Sequence, residues 1–311
     1  MTSAKLAAEH SVHSTRAALA SVSVALVLLL AKGWAAYQTD STAMLGSLVD
    51  TALDVIASLT TLVGVRIAAM PADHDHRFGH GKAEALVALA QVVLIAVSAV
   101  GIAVRAADRL INGARTQAMG DGIAVSVLAI ALTFVLLWYQ RQVIARTGSV
   151  AIKTDNVHYK SDLMLNGSVI VALVLEQALH VAGADAFFGI AIALWLAWGA
   201  FRASSEAIAQ LMDQEWPEDE RQQFLAAAAG YPELQGLHDL RTRKSGTLRF
   251  VQFHVWVPAE WTVQEAHDRL DAVEEDLQER FPGTEILIHV DPEGQIDRET
   301  LLSSEITEQA K

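Results

Sequence analysis

Two pairs of side chains stand where chemistry is hardest to place. Asp50 and Asp54 lie four residues apart inside an apolar run, and His158 and Asp162 repeat that spacing inside another. An i, i+4 pair shares one face of a helix, so each pair converges on a point. A carboxylate in hydrocarbon costs several kcal/mol by most estimates and is tolerated where it has a function. If the two helices face one another, the pairs offer three carboxylates and one imidazole, a four-ligand set suited to a tetrahedral divalent cation, zinc above all. A bound ion would offset the cost of the acids. The blander reading is that each acid hydrogen-bonds to a neighbouring helix.

Two further clusters use the same donor types. The stretch ADHDHRFGHGK holds Asp73, His74, Asp75, His76 and His80, dense enough for a metal, although a solvated loop also tolerates histidine. Nearer the C-terminus, His238, His254, His267, His289 and Asp291 are spread over a region that reads as strands and a helix. Eight of the chain's 11 histidines fall in these three groups, a concentration that favours metal binding over chance. Cysteine is absent, which excludes disulfides and thiolate sites, so imidazole and carboxylate must hold any metal.

The elements that would position these residues are readable from hydropathy. The 311 residues are 52% hydrophobic and 19% charged, too apolar for an ordinary soluble protein of this size. Six segments are long enough to cross a bilayer: Thr15 to Tyr37, Thr42 to Ala69, Glu84 to Leu110, Gly122 to Tyr139, Asp162 to Val181 and Ala186 to Arg202. The first lacks a cleavage site and reads as a span rather than a signal peptide. With an even number of spans both chain ends share one side. Ten Lys and Arg fall on that side against Arg105, Arg109 and Arg115 on the other, which places the termini in the cytoplasm. Lys32, near the outer end of the first span, is expected to snorkel outward. On these boundaries Asp50 and Asp54 lie about a third of the way in from the outer end of their span, whereas His158 and Asp162 sit at the inner end of theirs. Tilt or a water-filled cavity would have to reconcile the depths.

The net charge of −13 arises after Arg202: Lys and Arg nearly balance Asp and Glu before it, 14 against 13, but number 9 against 23 beyond it. No basic patch points to nucleic acid. After Trp216-Pro217 the pattern changes to PEDERQQFLAAAA, a helix with proline in its first turn, then a hairpin about Ser245-Gly246. An amphipathic helix opened by Thr262 and a third strand, TEILIHVD, complete an αββαβ order. The expected division is a cytoplasmic segment over 1–14, a six-helix transmembrane domain over 15–211, a cytoplasmic metal-binding domain over 212–292 and a polar tail over 293–311.

Six spans, the DxxxD and HxxxD pairs, the DHRFGHGKAE loop and a soluble module containing HDLRTRKSG together resemble the cation diffusion facilitator family, in particular its bacterial zinc and iron efflux members. The resemblance covers about Thr15 to Asp291. It implies a homodimer in the inner membrane that exports zinc, or cadmium or ferrous iron, in exchange for protons. It also implies a transport site of Asp50, Asp54, His158 and Asp162, a loop site of Asp73, His76 and His80, and a binuclear cytoplasmic site of His238, His254, His267, His289 and Asp291. Lys82 and Asp213 are implied to form a charge interlock at the dimer interface. Val290 stands where close relatives carry glutamine, so a side-chain role there is lost, and His74 and Asp75 have no assigned part.

Two other classes meet some of these features. An intramembrane metalloprotease needs an open coordination position and a general base, usually in HExxH, which this chain lacks. A membrane metal sensor that does not transport would need the soluble cluster but not the buried tetrad.

Overall fold

The structure, a computed structural model, describes residues 3–39, 42–112, 123–179 and 184–294. Arg115, Gly122, Val181 and the tail past Gly294 lie outside the described residues. Six long helices come first: α1 (Ser3–Thr39), α2 (Thr42–Ala68), α3 (Ala83–Asn112), α4 (Ile123–Thr147), α5 (Val150–Leu179) and α6 (Ala184–Leu211). Among the described residues, five of them are long and apolar enough to cross a membrane. The exception is α5, whose first half carries Lys153, Asp155, Lys160 and Asp162 and is correspondingly less apolar. It is nonetheless as long as α3, at 30 residues, and packs between α4 and α6.

Four helices outrun the apolar segments that mark them in the sequence. Helix α1 starts at Ser3, not Thr15; α4 continues to Thr147, α5 begins at Val150 rather than Asp162, and α6 runs on to Leu211. Hydropathy locates the part in lipid, whereas backbone hydrogen bonds continue into water until a stop signal intervenes. For α4 that signal is Gly148, with φ +63, whose N–H donates to the Ile144 carbonyl at 2.9 Å. Ser149 then opens α5 by accepting the Ile152 N–H at 3.4 Å, and Glu84, buried on α3, accepts from the Val150 and Ala151 N–H groups. Asp213, at φ 55, ends α6.

The extension of α5 removes the depth mismatch. His158 and Asp162 are not at the end of a helix but well inside one, level with Asp54 in the middle of α2. The packing of α2 on α5 brings them together.

The remaining elements are α7 (Glu218–Ala228), β1 (His238–Ser245), β2 (Leu248–Val257), α8 (Val263–Arg280) and β3 (Thr284–Pro292), the αββαβ order expected. Pro217 takes the N-cap position of α7 rather than its first turn. β1 and β2 form an antiparallel hairpin that closes through Gly246, at φ +61. β3 pairs in parallel on the other side of β2, after the α8 crossover, giving the order β1-β2-β3. Both helices cover one face, where Trp216, Phe224, Phe253, Val255, Leu270, Val273 and Leu277 form the core. The start of α8 carries a capping box: Thr262 Oγ1 accepts from the Glu265 N–H at 3.2 Å while Glu265 accepts from the Thr262 N–H at 2.8 Å.

The histidine-bearing loop between α2 and α3 docks on this hairpin. A Cβ at Gly81 would stand 2.2 Å from the Ser245 carbonyl oxygen, so only glycine permits the approach. The Arg243 guanidinium lies 4.4 Å from the ring centroids of both Phe78 and Phe250, between loop and strand. Lys82 Nζ meets Asp213 at 2.9 Å, and Arg243 approaches the same carboxylate at 3.5 Å. Within one chain, then, Lys82 and Asp213 tie the loop to the end of α6.

Candidate metal-binding sites

Inside the helix bundle, Asp54, His158 and Asp162 each bring one ligand atom to within 4.8 Å of the others. His158 Nε2 lies 3.0 Å from Asp54 Oδ1 and 4.0 Å from Asp162 Oδ2. The helix spacing explains the second contact, and the packing of α2 on α5 explains the first. The backbone around His158 is tied down: Ser161 donates to the His158 carbonyl at 2.5 Å, and Tyr159, whose ring stands edge-on to the imidazole at 5.7 Å, shares a 2.7 Å hydrogen bond with Ser58 and donates to the Ser21 carbonyl at 3.1 Å. Asp50, one turn along α2, is exposed and lies outside this group. The described geometry joins three of the four expected ligands; the fourth would have to swing in.

A feature the sequence reading missed lies one turn before His158. Asp155 is fully buried, with Ser21 (2.7 Å) and Gln140 (2.7 Å) on one carboxyl oxygen and Gln91 (3.2 Å) and Thr61 (3.4 Å) on the other. These partners come from α1, α4, α3 and α2, so five helices meet on one side chain of α5. The available signal was periodicity: Asp155, His158 and Asp162 fall at i, i+3 and i+7, one continuous face.

The loop cluster forms as a trio. Asp73 lies 3.4 Å from His76 Nδ1 and 3.3 Å from His80 Nε2, and the two rings are 4.5 Å apart. The turn itself presents the acid: Asp73 Oδ1 accepts the N–H of His76 at 2.7 Å and of Asp75 at 2.9 Å, an Asx turn. The His76 N–H is the main reason the Asp73 carboxyl is held below the usual carboxylate range. His80 Nδ1 points to the Pro71 carbonyl at 3.2 Å, leaving Nε2 toward Asp73. His74 and Asp75 are outside the trio.

In the soluble domain the sheet register does the assembling. His238 pairs with His254 across β1-β2, and His254 with His289 across β2-β3, so three histidines stand in one row. Asp291, two residues past His289 on the same face, meets them: Oδ2 lies 2.9 Å from His254 Nδ1 and 3.4 Å from His238 Nε2, while Oδ1 lies 3.5 Å from His289 Nε2. A carboxylate whose two oxygens face different imidazoles is suited to bridge two cations. His238 Nδ1 is 2.7 Å from the Gly236 carbonyl, which directs Nε2 into the cluster. His238, His254 and Asp291 converge as a trio with His289 at its edge, 3.5 Å from Asp291, while His267, exposed on α8, is not in this group. Val290 is 39% exposed and offers no ligand. Asp239, buried with φ 50 at the bulge after His238, stands 3.8 Å from His254 Nε2 and was not anticipated.

The donor chemistry of all three groups, imidazole and carboxylate without sulfur, fits a borderline divalent cation. Known proteins are similar to this chain in both of its parts. Residues 18–212 match the cation efflux transmembrane domain, and residues 216–293 match the cytoplasmic domain of cation efflux proteins. The cation-efflux pump FieF of Cronobacter sakazakii is 43% identical over 279 residues, covering 89% of this chain and 92% of that protein. FieF of Serratia proteamaculans is 42% identical over 276 residues, with the same coverage. A solved structure, the metal-bound C-terminal domain of the CzcD transporter from Thermotoga maritima, is 23% identical, covers 26% of this chain and all of that one, and superposes with a TM-score of 0.25. A helical domain with membrane-crossing spans, a buried carboxylate-imidazole group and an αββαβ module matched in sequence over most of their length place this chain in the cation efflux family.

Proposed function

We propose that this cation efflux protein exports a divalent metal, zinc foremost and cadmium or ferrous iron as alternatives, from the cytoplasm in exchange for protons. The observation that carries the proposal is the convergence of Asp54, His158 and Asp162 in the interior of the bundle, at atoms that bind either a metal or a proton. Ligand atoms must shed protons to take a cation, so the two compete, and a site that faces each side in turn exchanges one for the other. Asp50 would complete the four-ligand set when α2 and α5 enclose the ion. His158, the nitrogen donor, favours zinc or cadmium over manganese.

The Lys and Arg distribution supports cytoplasmic termini; the proposed location is the bacterial inner membrane, and the proposed domain limits are 15–211 and 212–292. The soluble domain acts as a sensor of internal metal in a homodimer. Its row of histidines would bind two cations about Asp291, with His267 as a candidate ligand from the second protomer. The excess of acids after Arg202 makes two such modules repel until cations neutralise them. The docked loop, with Lys82, Asp213 and Arg243, is the path by which that association reaches α3 and α6. Purified protein in proteoliposomes, given zinc on one side and a proton gradient, tests the proposal. Saturable zinc entry that acidifies the opposite compartment supports it, and zinc flux indifferent to Asp54→Ala removes its basis.

A further inference from the structure

Lys32 is a cation that the transport reading leaves without a role. Its ammonium does not snorkel to the helix end: Nζ donates to Thr51 Oγ1 at 2.6 Å, crossing from α1 to α2. Thr51 is fully buried, and its own hydroxyl donates to the Ser47 carbonyl at 3.1 Å, so a lone pair faces the ammonium. Thr51 lies about 13 Å along α2 from the start of that helix at a rise of 1.5 Å per residue, well short of a surface. It adjoins Asp50 and shares a face with Asp54, three residues on. An intramembrane cation held inward by a neutral acceptor needs a compensating charge, and the acids of the transport site supply it.

Through Thr51 the ammonium is held one residue from Asp50 and three from Asp54 along α2, beside a site built of carboxylates. The end of α2 near Thr51 is also the end away from the docked soluble domain, whose contacts are with the loop that follows Ala68. We propose that Lys32 is the fixed counter-charge of the transport site, speeding the metal ion's release on the side away from the soluble domain. The inference rests on the transport reading of Asp54, His158 and Asp162.

Without Lys32 the site loses its positive neighbour, so a dication binds more tightly and leaves more slowly. In proteoliposomes, Lys32→Met should lower the KM for zinc at least about tenfold, the low end of what one neighbouring charge does to a site's affinity, and lower kcat with it. Zinc affinity of the full-length protein in detergent, measured by chelator competition, should rise in parallel, and Lys32→Arg should restore both. A merely structural role would reduce folded protein and leave KM alone. Should Lys32→Met fail to insert, Thr51→Val, which removes the acceptor holding the ammonium inward, should move KM and kcat in the same direction to a smaller extent. An unchanged or raised KM, or no rescue by arginine, overturns the inference. Zinc flux surviving Asp54→Ala would instead overturn the site itself, so the two failures are distinct.

Discussion

Asp155→Ala removes the acceptor on which side chains of four helices converge. Ser21 and Thr61 have fallbacks, since their hydroxyls already reach the carbonyls of Ala17 (3.2 Å) and Ala57 (3.1 Å). The amides of Gln91 and Gln140 are worse placed: each keeps one hydroxyl contact, to Thr61 and Ser21 respectively, and loses the carboxyl. Two buried amide groups short of an acceptor cost about 1–3 kcal/mol each, and with the small void left behind the total is about 3–5 kcal/mol. At about 2–4 °C per kcal/mol for a domain of this size, the apparent Tm in detergent should fall by about 10 °C. Asp155→Asn retains one acceptor and the shape, and should lose about half as much. The assay is thermal unfolding of monodisperse full-length protein, followed by intrinsic fluorescence. A fall of less than about 2 °C for Asp155→Ala would refute the reasoning, because it would mean the amides find other partners at little cost.

Other expectations follow from the geometry. His158→Asp exchanges the imidazole between Asp54 and Asp162 for a hard oxygen donor, so the preference for zinc over manganese in a flux assay should weaken; an unchanged ratio places selectivity elsewhere. In Gly81→Val the new Cβ meets the backbone of Ser245 and Gly246 at 2.2–2.9 Å, which cannot yield as a side chain would, so the loop should undock and proteolysis within residues 70–82 should rise several-fold. Wild-type protein should gain thermal stability with added zinc, and His254→Ala with His289→Ala should shrink that gain while leaving the Tm in chelator close to wild type.

The chain's alternation between apolar runs and loops was enough to place every helix and strand in order, because lipid and core both select on hydropathy. It could not place the helix ends. Between Val150 and Asp162, and between Arg202 and Leu211, the chain loses its apolar character and stays helical, so polarity marks the apolar stretch while the true stops are Gly148 and Asp213, set by backbone conformation. That distinction created the depth mismatch between Asp54 and His158, which the structure removes. Ligands separated by a helical repeat were legible, and the row of His238, His254 and His289 was legible as a set but not as a register, since register depends on a bulge at Asp239 that no local signal announces. Asp155 was passed over because an acid beside Lys153 and Lys160 reads as part of a solvated helix end; only the packing of five helices shows that it is buried. Lys32 was misplaced for the converse reason, because snorkelling is the default for a lysine near a span's end and Thr51 is an acceptor visible only in three dimensions.

The central claim is that metal and proton compete for the same atoms between α2 and α5. Its most direct test is simultaneous measurement of zinc uptake and lumenal pH in proteoliposomes holding wild-type or Asp54→Ala protein at matched, monodisperse incorporation. The account predicts that in the wild type each zinc entering is accompanied by protons leaving, that an imposed proton gradient of the right sign accelerates uptake, and that Asp54→Ala abolishes both fluxes together. Zinc entry at the wild-type rate in Asp54→Ala, or wild-type zinc entry with no proton counterflow, would contradict it.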